Sequence, residues 1–235
     1  MSEKIFVPFC AEAAERMEKS PYFRVVVFGA SNTERYLPGL HWADILEVGL
    51  RQRYGRKFHL INSGVSGNQT VEALKRFERD VASFAPDIVI ITLGGNDCNP
   101  KPEKFVSASD FVKNMSEIVR RVRELGALPI IQTYYKMDLE AMVPERAENF
   151  VKYMELVREA ARQNDVFLVD QYQLFEAFPP AVLRYKLLLN AMHTNDLGNA
   201  VIGVNLLKHL GIDAAMIDHN ENLCAALNIY NQISG

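Results

Sequence analysis

Residues 23–33 read FRVVVFGASNT: a valine-rich run, Phe23–Phe28, breaks into Gly29-Ala30-Ser31-Asn32-Thr33. A nearly continuous apolar run of this length suits a strand covered on both faces, as in a parallel sheet. The residues that follow are turn formers. In open parallel sheets, ligands sit beyond the C-terminal ends of the strands. This turn is therefore a candidate site, built either to cradle a phosphate or to hold Ser31 forward as a nucleophile.

The same pattern recurs along the chain. Apolar runs stand at FHLI (58–61), DIVIITL (87–93), LPIIQTY (128–134) and VFLVD (166–170). Segments with helical spacing lie between them. Trp42, Ile45, Leu46 and Leu50 share one stripe, as do Val71, Leu74, Phe77 and Val81, and then Val112, Met115, Ile118, Val119 and Val122 before Gly126. RAENFVKYMELVREAARQN adds a long helix, NDLGNAVIGVNLLKHLG an amphipathic one, and a last helix is expected near 212–232. Alternation of strand and helix gives the α/β class with a five-stranded parallel sheet. No repeat, low-complexity tract or linker interrupts it, so a single domain over 1–235 is expected, with helices appended at both ends.

Composition narrows the function classes. Hydrophobic residues make up 49% and charged residues 23% of the 235, ordinary for a globular protein. The net charge is −3 with no basic block, which argues against a nucleic-acid partner. Three separated cysteines, Cys10, Cys98 and Cys224, form neither a disulfide framework nor a zinc pair. No segment has the length of a signal peptide or membrane span, and a cytoplasmic location is expected.

The phosphate reading fails on its motif. A dinucleotide loop needs G-x-G-x-x-G; only Gly29 is present here, and Glu34 would set negative charge beside a phosphate. The nucleophile reading needs an activated hydroxyl, a base, and donors for an oxyanion. Ser31 supplies the hydroxyl, and Thr33 can bond locally to hold its turn. Of the five histidines, His59 falls in a strand, His41 opens a helix, and His209 and His219 lie in or between late helices. His193 alone stands in a loop, before the helix that starts near Asp196. Donors can come from NSGVSGNQT, at Gly64 and Gly67, and from Asn96 in LGGNDC.

Taken in order, these loops resemble the SGNH hydrolase superfamily, the GDSL-type esterases and lipases, over about residues 23–210. Gly29-Ala30-Ser31-Asn32-Thr33 matches the G-D-S-x-T block except at Ala30. Asn62, Gly64, Gly67 and Thr70 match N-x-G-x-x-G-x-x-T, and Gly94-Gly95-Asn96-Asp97 matches G-x-N-D. Asn190-Ala191-Met192-His193 stands where the family has D-x-x-H. The resemblance implies a flavodoxin-like three-layer sandwich and a serine hydrolase cleaving small esters through an acyl-enzyme. It implies Ser31 as nucleophile, His193 as base, an oxyanion hole from the Ser31 N–H, the Gly67 N–H and the Asn96 amide, and neither metal nor cofactor. Asn190 replaces the aspartate that orients the histidine.

Other residues take plainer readings. Asp97 is expected to brace its own loop through backbone N–H groups, Asp170 to cap a turn, Trp42 to lie in the core and Cys98 to be inert. Tyr134, Tyr135 and Met137 are either pocket-lining or packing. The rival function is a non-catalytic carbohydrate or acyl-ligand binder on the same fold, with Asn190 marking lost activity. Acyl group, alcohol and homo-oligomeric state are left open.

Overall fold

The computed structural model describes residues 8–35, 39–214 and 221–232. After helix α1 (Ala11–Lys19), strands β1 (Phe23–Gly29), β2 (Phe58–Gly64), β3 (Ile88–Thr92), β4 (Leu128–Gln132) and β5 (Phe167–Val169) form one parallel sheet in the order β2-β1-β3-β4-β5. The sequence pattern follows that order. β3 and β4 are buried along their whole length and β1 nearly so, whereas the edge strands β2 and β5 are mixed. Each buried Val or Ile contributes roughly 1.5–3 kcal/mol, so the three central strands carry much of the core.

Between the strands run α2 (Trp42–Tyr54), α3 (Thr70–Asp80), α4 (Ala108–Glu124) and α5 (Pro144–Gln163). The chain steps outward from β1 to β2, then reverses to β3. Right-handed crossovers therefore put α2 on one face and α3, α4 and α5 on the other. After β5 come α6 (Gln171–Glu176) and α7 (Pro180–Val182). The chain then passes through a π-helical segment, Leu183–Leu187, to α8 (Asp196–His209) and α9 (Glu221–Asn231). α8 packs between α2 and α9.

The elements differ from the sequence reading in three places. β2 runs on to Gly64, because Asn62, Ser63 and Gly64 pair with Val27, Phe28 and Gly29; their polar groups are satisfied by Thr33 O and Asp80 O. In α3 the inward face is Thr70, Ala73, Arg76 and Phe77, while Val71 is exposed. α8 is not amphipathic: it is buried nearly all round, with Ala200 to Leu207 all enclosed, since α9 covers its outer side. A Cβ on Gly203 would lie 2.5 Å from Ile45 Cβ, so α2 and α8 cross at a distance only glycine permits. The last helix, expected near 212–232, is described over Glu221–Asn231; 215–220 lie outside the described residues.

Two polar features lie inside this framework. The Arg76 guanidinium, 8% exposed, donates to Gly29 O at 2.7 Å, Ser63 O at 2.8 Å, Asn68 Oδ1 at 2.6 Å and Asp80 Oδ2 at 2.9 Å. It also lies over the Phe28 ring. It thereby clamps the C-terminal ends of β1 and β2. Separately, a file of buried side chains crosses the core. Tyr230 Oη donates to Asn205 Oδ1, Asn205 Nδ2 to Gln171 Oε1, Gln171 Nε2 to Gln132 Oε1, and Gln132 Nε2 to Thr92 Oγ1.

Candidate active site

Strand order reverses between β1 and β3, and the crevice beyond their C-terminal ends is where an open α/β sheet binds its ligand. The turn after β1 carries Ser31. It closes on the Ala30 carbonyl, which accepts from Thr33 N at 2.9 Å and Glu34 N at 2.8 Å. Thr33 thus holds the turn through its backbone; its buried hydroxyl finds no partner among the described residues. A Cβ on Gly29 would lie 2.2 Å from Thr33 Oγ1 and 2.6 Å from Thr92 O, so only glycine lets the turn fold back this tightly. Ala30 is itself buried.

Asn32, next to Ser31, is anchored on both sides. Its carbonyl accepts from Trp42 Nε1 at 2.6 Å and lies 3.3 Å from His41 Nε2. His41 caps α2 by accepting from Ala43 N on Nδ1, and burial pushes its imidazole down to about 4. His41 is therefore neutral, with its proton on Nε2 facing Asn32 O.

The β2 and β3 loops meet the first. Gly64 N–H is engaged by Asn62 Oδ1 at 2.9 Å, and Ser66 N–H by the Glu34 carboxylate at 2.8 Å. Gly67 follows with φ +76°, a left-handed conformation that glycine adopts without strain. Asn96 Nδ2 donates to Asn68 O at 2.9 Å. Asp97 does brace the site, but across loops: Oδ1 accepts from Thr70 N at 2.9 Å and Thr70 Oγ1 at 2.6 Å. Burial pushes its carboxyl up to about 6. Cys98 is enclosed, and burial pushes its thiol up to about 11. That suits an inert thiol.

His193 arrives from the segment that precedes α8. Leu188 bridges Thr194, Leu189 N donates to His193 O at 2.8 Å, and Asp138 N donates to Ala191 O at 3.0 Å. Its Nε2 lies 3.3 Å from Ser31 Oγ and its Nδ1 3.1 Å from Asn190 Oδ1. Asn190 Oδ1 also accepts from Met192 N at 2.9 Å and His193 N at 3.0 Å. Two backbone N–H donors hold the amide oxygen inward, which opposes a flip that would present NH₂ to the ring. Nδ1 is then the protonated nitrogen, and Nε2 keeps its lone pair toward Ser31. Burial lowers the His193 pKa, so the ring is neutral at pH 7. Asp196, at the start of α8, shares the cavity wall with His193.

That cavity, about 100 Å³, is lined by Ser31, Asn32, Glu34, Leu40, Leu189 and His193 among others. A larger open groove of about 730 Å³ along α4, from Lys113 to Glu124, holds no histidine or cysteine and lacks a nucleophile–base pair. Asp170 caps α6 by accepting from Gln173 N and pairs with Arg158. His59 is exposed on β2 and His209 is buried against Pro8 O; His219 lies outside the described residues. Among the described residues no group of three His, Cys, Asp or Glu could hold a metal ion, and no helix is long and apolar enough to cross a membrane.

Sequence reasoning missed Arg76 and left Tyr135 undecided. An arginine between apolar helix positions gives no sign that it is buried. Tyr134, Tyr135 and Met137 are all buried, but the Tyr135 hydroxyl also reaches the loops of Ser31 and His193. Only its position at a strand end hinted at that.

Known proteins resemble this chain in sequence and in fold. An acetylxylan esterase from Geobacillus stearothermophilus is 24% identical over 194 residues, 79% of this chain and 84% of its own length. The uncharacterized lipoprotein YqeF of Bacillus subtilis is 27% identical over 182 residues, 66% of this chain and 72% of its own. Among solved structures, a catalytic mutant of the Geobacillus stearothermophilus acetylxylan esterase superposes with a TM-score of 0.70 at 19% identity, covering 83% of this chain and 96% of that one. LAE5, an alpha/beta hydrolase enzyme from the metagenome of Lake Arreo, Spain, gives 0.69 at 25% identity, covering 83% and 98%. A family profile matches residues 27–201, from the middle of β1 into α8 and so across every loop that meets at Ser31. By that match the chain belongs to the GDSL-like lipase/acylhydrolase family of carboxylic ester hydrolases.

Proposed function

We propose that this protein is a serine hydrolase that removes short acyl groups from small esters through an acyl-enzyme. The observation that carries the reading is the aligned file Ser31 Oγ, His193 Nε2, His193 Nδ1, Asn190 Oδ1, with separations of 3.3 and 3.1 Å across the ring. The cavity of about 100 Å³ beside it has Ser31 and His193 in its wall, and the similar esterase of Geobacillus stearothermophilus, named for acetylxylan, supports an acetyl-sized group.

The proton inventory dictates the steps. Nε2 takes the Ser31 proton as Oγ attacks the ester carbonyl carbon. Negative charge builds on the carbonyl oxygen, where the Ser31 N–H, the Gly67 N–H and the Asn96 carboxamide are the donors. The bond to the alcohol oxygen breaks, and Nε2–H delivers the proton to that oxygen. Water then gives its proton to Nε2 and attacks the acyl-serine; as the bond from the acyl carbon to Oγ breaks, Nε2–H returns that proton to Oγ, releasing the carboxylic acid and restoring Ser31 and the neutral ring. Asn190 holds the ring through Nδ1–H but brings no full charge to the imidazolium.

A fluorophosphonate separates this reading from a non-catalytic binder. The native protein is expected to take one phosphonyl group, mapped by peptide mass spectrometry to Ser31. A protein left unmodified, or modified elsewhere, sinks the serine reading.

Asn190 offers a finer test. A carboxylate there stabilises the imidazolium and raises the His193 pKa, so Asn190→Asp is expected to raise kcat on an activated ester roughly tenfold or more. Since the neutral ring is the base, the acid limb of the rate profile lies below the ordinary imidazole range in the native protein, and Asn190→Asp moves it to higher pH. Asn190→Ala is expected below the native rate. Unchanged rates and pH profiles in both variants would place Asn190 outside the catalytic apparatus.

A further inference from the structure

The Tyr135 side chain comes from the loop after β4, packs its ring against Phe175, and carries its hydroxyl to the meeting point of two other loops. That hydroxyl lies 2.9 Å from Asn32 Oδ1 on the Ser31 turn. It lies 2.7 Å from Met192 O on the His193 loop, and Thr194 N donates to it at 3.1 Å. Its hydrogen-bond partners are thus the residue after Ser31 and the residues on either side of His193.

We propose that the Tyr135 hydroxyl is the positioning group that sets the Ser31–His193 separation; the proposal rests on the serine-hydrolase reading above. The physical case has three parts. First, Ser31 and His193 are 162 residues apart in sequence, so their spacing depends on what joins their loops. Second, the hydroxyl both accepts and donates across the gap between the loops. Thr194 N–H donates to it, and its one proton is shared between Met192 O on the His193 loop and Asn32 Oδ1 on the Ser31 turn. Third, Tyr135 is itself fixed: it is 2% exposed, so its hydroxyl cannot follow a drifting loop. Proton transfer between Ser31 and His193 needs hydrogen-bond contact, and the present 3.3 Å leaves little slack.

Tyr135→Phe removes the hydroxyl and keeps the ring. With p-nitrophenyl acetate, kcat is expected to fall on the order of 10²-fold, the scale of a misplacement near 1 Å, with KM within about twofold of native. The phosphonylation rate of Ser31 should fall in parallel. A merely structural loss is distinguished in a His193→Ala background, where no base remains to be positioned: Tyr135→Phe should then leave the residual rate unchanged. Asn32→Ala cuts the same tie from the half-buried nucleophile side and serves if the phenylalanine variant folds poorly; it should lower kcat with KM held. A native kcat in both variants, a change in KM alone, or an equal loss with and without His193 would overturn the proposal. Ser31→Ala, run alongside, separates the two levels. If it is inactive and unlabelled while Tyr135→Phe is native-like, the serine reading stands and only the role of Tyr135 fails.

Discussion

Ser31→Ala is expected to lower kcat/KM for a small activated ester by about 10⁴–10⁶-fold, and His193→Ala by a comparable factor. The double variant should be no slower than the worse of the two. Groups that act as one unit fail together: without Oγ the Nε2 lone pair has no proton to take, and without Nε2 the Oγ proton has no acceptor. Ser31 is only half-buried, so truncating it costs little packing, and an unchanged melting temperature is expected to accompany the loss. If the two losses multiply in the double variant, Ser31 and His193 act independently and the 3.3 Å contact between them is incidental.

Asn96→Ala is expected to cost about 10²–10³-fold in kcat while KM stays near native. The carboxamide has two N–H bonds. One is engaged by Asn68 O at 2.9 Å, which fixes the plane of the group before substrate arrives. In the proposed mechanism the other serves an oxygen that gains charge only as the reaction proceeds. Such a donor contributes little to ground-state binding and much to the transition state. Asn96→Asp keeps the shape, supplies an acceptor where a donor is needed, and should be at least as slow as alanine. A rise in KM without a fall in kcat would make Asn96 a substrate-binding residue.

The sheet was legible because central parallel strands must be apolar on both faces, and Phe23–Phe28 and Ile88–Leu93 are so with little interruption. The strand-end loops were legible for a related reason. Turns that approach one another closely need glycine, as Gly29 does against Thr33 and Thr92 O. What stayed hidden was tertiary. Arg76 and Val71 lie on one helix, and which of them faces inward depends on carbonyls at the ends of β1 and β2. The all-round burial of α8 depends on α9, which joins it from beyond residue 220. Tyr135 reads as packing until its hydroxyl is placed among atoms from positions 32, 192 and 194.

The file of Tyr230, Asn205, Gln171, Gln132 and Thr92 constrains how this protein can change over generations. Each amide both gives and receives. Replacing any one with an apolar side chain strands a buried neighbour at a cost of about 1–3 kcal/mol, whereas replacing partners together can be nearly neutral. Single-step drift at these positions is therefore opposed, and paired replacement is the open route. In descendants of this sequence the five positions should be inherited as a block, binding the history of the terminal helix to that of the strand that leads to Asn96.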